Sequence, residues 1–186
     1  MTRILVAYGT YDGQTGKIAG YVGGVAREAG CEADIWQCKD LPEELDLRAY
    51  EAVILAAPVH NGKHEASVAD FVRRHRMALA SIPCTVLSVG LVPCLPRFLR
   101  RRAAASVVAA FVKQTGWKPS TMTMVGGALK YPSYTPRQRA FMKLFMRLLG
   151  GPTDTSRSHE LTDWTSVRQL TETFLASLRQ PAMPGA

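Results

Sequence analysis

The chain has 186 residues, 47% of them hydrophobic and 20% charged, which excludes wholesale disorder and allows a full core without metal or disulfide staples. Its four cysteines, Cys31, Cys38, Cys84 and Cys94, include no CxxC pair, which argues against a zinc ribbon or thioredoxin-type site and makes a reducing compartment the default. The net charge of +8 is unevenly spread, with six basic and eleven acidic side chains in residues 1–70 but fourteen basic and no acidic ones in residues 71–153, so an anionic partner is expected: nucleic acid, a membrane surface or an acidic small molecule.

The opening apolar run, Ile4 to Ala7, is too short for a signal-peptide core and reads as a buried strand, Ile4–Tyr8. Gln14–Ala29 follows with helical spacing at Ile18, Val22, Val25 and Ala26 and stops at Gly30. Cys31–Trp36 is a short second strand, and residues 38–50 are acidic and irregular. Ala52–Ala57 is a fully buried third strand, closed by Pro58. Glu65–Leu79 is helical, Cys84–Val89 is a fourth strand, and Ala103–Thr115 is a helix closed by Gly116. Thr121–Val125 is the fifth strand. Thr162–Leu178 is the last helix, with Thr162 as its N-cap, and a frayed tail starts at Pro181. No stretch reaches the ~18 uninterrupted apolar residues of a membrane-spanning helix.

Continuous apolar strands alternating with helices predict a parallel sheet covered on both faces, a three-layer α/β/α sandwich forming one domain over residues 1–180. Residues 130–161 are too long for a plain connection between the fifth strand and the last helix. They read as an insertion with its own amphipathic helix.

In open parallel sheets ligands sit at the carboxyl ends of the strands, so the loops there carry the chemistry. The loop Gly9-Thr10-Tyr11-Asp12-Gly13-Gln14-Thr15 joins the first strand to the first helix. Backbone N–H groups at such a helix start bind phosphate, and the hydroxyls of Thr10 and Thr15 add donors. Tyr11 and Ile18 exclude a Walker A loop, and the spacing of Gly9 and Gly13 excludes GxGxxG. A plain turn remains the alternative. The loop Pro58-Val59-His60-Asn61-Gly62-Lys63 is suited to border a flat heteroaromatic ring, or is a simple surface turn. His60 and His64 lack nearby carboxylate or thiolate, so no metal site is expected there. Gly90-Leu91 follows the fourth strand and Gly127-Ala128-Leu129-Lys130-Tyr131 the fifth. Their glycines permit close approach to a ligand or serve the turns alone.

Together these loops resemble the flavodoxin fold, in which FMN is held at the ends of strands ordered 2-1-3-4-5. A closer resemblance covers nearly the whole chain. Thr10 to Thr15, Gly127 to Pro132, Gly150 to Thr155 and Leu161 to Trp164 resemble the flavodoxin-like protoporphyrinogen oxidases, the quinone-dependent protoporphyrinogen IX dehydrogenases of bacterial haem synthesis. The insertion before the last helix is the most specific part of that likeness. The resemblance implies oxidation of protoporphyrinogen IX with electrons passed to a quinone. It also implies that FMN phosphate is held by Thr10 to Thr15 and the ring flanked by residues 58–63, 90–93 and 127–131. No side-chain nucleophile is required, because the flavin carries the redox chemistry. Tyr11 and the Pro93-Cys94-Leu95-Pro96-Arg97 run depart from the family pattern. Rival readings are a flavodoxin-like electron carrier, an NAD(P)H:quinone reductase and a flavin-free adaptor. The charge of +8 counts against the first.

The insertion places Phe141, Met142, Leu144, Phe145, Met146, Leu148 and Leu149 on a broad apolar face, with Arg139, Lys143 and Arg147 opposite. Such a helix can lie on an anionic bilayer, and the Arg97 to Arg102 cluster can extend the same surface. Packing on the domain is the alternative. Arg97 and Lys130 are also candidates to meet an acidic substrate. No helix-turn-helix, zinc-finger or RNP motif accompanies the arginines, so nucleic acid is not the expected partner. The expected location is cytoplasmic, peripheral on the inner face of the cell membrane. The sequence leaves the oligomeric state open.

Overall fold

A computed structural model describes residues 1–42 and 44–179. In chain order the elements are β1 (Arg3–Tyr8), α1 (Gln14–Glu28), β2 (Glu32–Gln37), β3 (Ala52–His60), β4 (Lys63–His64), α2 (Ala66–Ser81), β5 (Cys84–Gly90), α3 (Arg97–Thr115), β6 (Thr121–Gly126), β7 (Ala128–Lys130), α4 (Pro136–Leu148), β8 (Ser158–Glu160) and α5 (Trp164–Arg179). Five parallel strands lie in the order β2-β1-β3-β5-β6; the alternation of strands and helices predicts the parallel sheet, and the order is the one the flavodoxin resemblance implies.

The apolar runs are continuous because both sheet faces are covered. Successive side chains of a strand point to opposite faces. Ile4 and Val6 pack with Ile18 and Val22 of α1 and Val167 and Leu175 of α5. Leu5 and Ala7 pack with Val68, Phe71 and Val72 of α2 and Phe111 of α3. Full burial of each such aliphatic or aromatic side chain contributes about 1.5–3 kcal/mol, so both layers are firmly held. A third cluster, separate from the sheet, joins Leu129, Tyr131 and Met146 beneath the insertion.

The structure corrects several boundaries. β3 does not close at Pro58 but runs on to His60. β1 ends opposite Ala56, so the missing N–H of proline breaks no bond to it, and the Pro58 carbonyl accepts instead from Glu65 N at 3.1 Å. β3 then folds back on β4 through Asn61-Gly62, whose φ values of 51° and 73° make the tight hairpin turn that Asn-Gly favours. α3 begins at Arg97, six residues before the expected Ala103. Residues 97–102 are all exposed, so no apolar spacing marks that first stretch. α5 is capped by Asp163, which accepts from Ser166 N at 3.0 Å. The Thr162 hydroxyl instead donates to the Gly126 carbonyl at 2.8 Å. The insertion also holds an unforeseen antiparallel ribbon, β7 with β8. The expected frayed tail from Pro181 lies outside the described residues.

Candidate functional site

The carboxyl ends of β1, β3, β5 and β6 converge on a cleft of about 1220 Å³. At one end lies the 9–15 loop. The Thr10 hydroxyl accepts from Gly13 N at 2.8 Å and closes the loop just before α1. Gly13 is the N-cap, at φ 85°, and provides no side chain. No acidic residue stands in the first turn of α1 either. Three of the other four helix starts differ, and only α3, begun by Pro96, also lacks a side-chain cap. Glu65 caps α2 through Ser67 N and Val68 N, Thr135 and Gln138 form a capping box on α4, and Asp163 caps α5. α1 therefore turns its first N–H groups, and the positive end of its dipole, toward the cleft without a side-chain partner. That is the chemistry a phosphate monoester requires.

The β3–β4 hairpin overhangs the middle of the cleft, with Pro58, Val59, His60, Asn61, Gly62 and Lys63 on its wall. Tyr11 reaches across from the first loop, its ring centroid 4.8 Å from that of His60. Gly90, Leu91, Gly127 and Ala128 also line the cleft. Gly127 N donates to the Gly90 carbonyl at 3.1 Å, which binds these two loops together. The insertion and α3 add an apolar part of the lining, Val92, Leu95, Val107, Phe141, Met142 and Phe145, alongside Ser133, Tyr134 and Gln138. Only the loop residues of this set were legible in the sequence. Val107 and Phe145 lie far from any strand end in the chain, and only packing brings them to the site.

Not every candidate residue reaches the cleft wall. Gln14 lines it, but its side-chain amide donates to Glu160 Oε2 at 3.1 Å and Thr162 Oγ1 at 2.9 Å. Gly13 stands beside the lining residues Asp12 and Gln14. Leu129 and Tyr131 are fully buried beneath α4, and the Tyr131 hydroxyl donates to the Pro152 carbonyl at 2.9 Å. Lys130 donates to the Asp12 carbonyl and so fastens the insertion to the 9–15 loop. Arg139 was grouped with the free cations of the insertion, but its guanidinium donates to the carbonyls of Tyr131, Pro132 and Tyr134 at 3.1–3.3 Å. Lys143 and Arg147 are exposed and form no ion pair among the described residues, and Arg97 is exposed at the start of α3.

His64 is only 2% exposed and lines the base of the cleft. Its Nε2 lies 3.1 Å from Ser88 Oγ, its ring and that of Phe111 meet edge-on, and its Nδ1 has no partner among the described residues. Burial pushes its pKa down to about 4. The neutral ring is therefore the folded form, and the unfolded chain binds the proton first as pH falls. Stability from this group is complete above pH ~6.5 and is lost as pH drops toward ~4, by roughly 3 kcal/mol. His64→Gln should flatten that slope. Equal loss of urea midpoint between pH 7 and pH 4.5 in both proteins would contradict it. Among the described residues no group of three or more His, Cys, Asp or Glu is gathered for a metal.

Residues 5–156 match the flavodoxin domain family. The chain is 33% identical over 165 residues to protoporphyrinogen IX dehydrogenase (quinone) of Escherichia coli strain K12, covering 89% of this chain and 90% of that one. The chain belongs to this flavodoxin-like dehydrogenase family. A Leishmania major protein of the same name is 31% identical, over 99% of this chain and 80% of its own. Among solved structures, flavodoxin 2 from Bacillus cereus superposes with a TM-score of 0.56 at 16% identity, over 95% of this chain and 99% of that one. Rubredoxin oxygen:oxidoreductase from Desulfovibrio gigas superposes with a TM-score of 0.57 at 15% identity, over 96% of this chain and 36% of that one. At such identities these neighbours speak for the fold alone.

Family membership makes this a flavodoxin-like oxidoreductase with a flavin site. The uncapped α1 start, the hairpin wall and the paired glycine loops fit such a group in shape and in donor chemistry.

Proposed function

We propose that the chain is an FMN-dependent dehydrogenase that oxidises protoporphyrinogen IX and passes the electrons to a quinone, working as one domain over residues 1–180. The observation that carries this reading is the union, in one cleft, of an uncapped helix N-terminus with an apolar chamber under α4. A bare electron carrier needs the first and has no use for the second.

In this reading the N–H groups of Asp12, Gln14 and Thr15 hold the phosphate, the Thr10 and Thr15 hydroxyls add to them, and Gly13, whose N–H is held by Thr10 Oγ1, gives the loop its shape. Pro58 to Lys63, Gly90 and Leu91 flank the ring, with Gly127 and Ala128 behind it. When bound, the flavin supplies hydride acceptance at N5. The protein excludes water from one side with Val107, Met142 and Phe145, which holds an apolar macrocycle close to the ring. Lys63, on the hairpin, meets the carboxylates of the substrate. The test is anaerobic protoporphyrinogen oxidation by the FMN-loaded protein, with and without a menaquinone analogue. Quinone-dependent turnover supports the reading. Tight FMN binding with no turnover on any quinone would leave only an electron carrier.

The apolar substrate and quinone favour attachment at the cytoplasmic face of the cell membrane, through α4. Phe141, Leu144 and Leu148 are exposed, whereas Met146 is buried and Met142, Phe145 and Leu149 pack on the third cluster. One face of this helix thus packs on the domain and the other is open. No helix among the described residues is long and apolar enough to cross a membrane. Each cation near an anionic surface contributes about 1 kcal/mol, and with Arg139 occupied, Lys143 and Arg147 supply roughly 2 kcal/mol. Lys143→Glu with Arg147→Glu should abolish co-sedimentation with anionic liposomes at low salt while FMN stays bound. Unchanged sedimentation would make α4 a purely internal element.

A further inference from the structure

We propose that the first turns of α3 form a second membrane anchor, and that α3 and α4 together straddle the mouth of the cleft against an anionic bilayer. This deepens the attachment through α4 and rests on that reading.

Phe98 is 80% exposed and Leu99 41%, side by side at the start of a 19-residue helix. Around them, Arg97, Arg101 and Arg102 are exposed and form no ion pair among the described residues. Only Arg100 is engaged, donating to the Leu95 carbonyl at 2.6 Å. These cations oppose the macrodipole of the helix they begin. No acidic residue in the first turn and no side-chain cap offsets them. They therefore weaken α3 in isolation, and an anion from outside the fold is what balances them.

The two anchors are neighbours. The turn that leads into α3 packs Leu91 and Cys94 into the same cluster as Met142 and Phe145 of α4. Leu95 and Val107 line the cleft together with Phe141 and Phe145. Each helix thus turns apolar side chains inward to the chamber and sends others, Phe98 and Leu148 among them, into solvent. No acidic residue lies between Asp70 and Asp154 to repel a negative surface. An anionic bilayer meets both needs at once, because aromatic and aliphatic groups enter the interface while arginines stay with the phosphates. The apolar chamber would then open directly toward lipid.

The test is co-sedimentation of the full chain with phosphatidylcholine vesicles containing one-third phosphatidylglycerol, at low salt. One variant is Arg97→Gln/Arg101→Gln/Arg102→Gln and a second is Phe98→Ser. All four positions are exposed, so both variants should retain native circular dichroism and FMN binding. Each arginine is expected to contribute about fivefold to partitioning, so the triple variant should bind about a hundredfold more weakly. Phe98→Ser should weaken binding about tenfold. If both variants sediment like the parent while Lys143→Glu/Arg147→Glu does not, α4 is the sole anchor and this proposal is overturned with the first intact. If the parent itself stays in the supernatant, both fall.

Discussion

Gly126→Ala is expected to lower stability by about 3–4 kcal/mol. A Cβ at this position would stand 2.9 Å from the Leu161 carbonyl carbon and nearer still to its oxygen. The obstacle is main chain, and it is held on both sides. Leu161 N donates to the Gly127 carbonyl at 2.9 Å, and the Thr162 hydroxyl donates to the Gly126 carbonyl at 2.8 Å. Overpacking costs about 1–3 kcal/mol, and each lost hydrogen bond adds about 1 kcal/mol. Against a total stability of ~5–15 kcal/mol this is severe. For a chain of this size the melting temperature should fall by roughly 6–15 °C. Gly127→Ala is the control, since its Cβ would lie 3.3 Å from the end of a Val89 side chain and should cost less than about 1 kcal/mol. Equal midpoints for the two variants in urea would show that the 161–162 segment yields freely.

Gly13→Val is expected to weaken FMN binding by at least about a hundredfold, or 2.7 kcal/mol. Nothing lies within 4 Å of a Cβ at this position, so crowding inside the protein is not the cause. The cause is the backbone. Gly13 sits at φ 85°, which a β-branched residue resists strongly. Relief comes by rotating the loop, and the rotation turns the α1 N–H groups away from the phosphate position. Gly13→Asn separates the two effects, because asparagine tolerates positive φ and should keep most of the affinity. Riboflavin lacks the phosphate, so its affinity should change far less than that of FMN. Fluorescence titration of both ligands measures this, and an equal loss for the two would move the phosphate site elsewhere.

The loops of the site were legible because their chemistry is local. A strand, a Thr/Gly loop and a helix start mark a turn with free N–H groups, which the other strand-end loops make a candidate phosphate cradle. The same holds for Asn61-Gly62, a hairpin signal in a loop that the sequence alone presents as a ring border or a simple surface turn. Leu129 and Tyr131 show the opposite case. They follow β6 in the chain, as a ligand loop should, yet β8 pairs with their strand and α4 covers them. Arg139 likewise belongs to a cationic stripe in sequence but to the support of Tyr131 in space.

Local order was therefore written in the chain itself: strand and helix types, the covered parallel sheet, and the first loop with its glycine. These depend on residue period and on backbone propensity, which act within a few positions of each residue. The role of each face of α4, the apolar end of the cleft and the burden on Gly126 depended on which distant segments meet. Gly126 and Leu161 are strangers in sequence and touch only because the insertion returns to the sheet. Contacts of that range are set by the packing of whole layers, for which a single residue's identity carries no local sign.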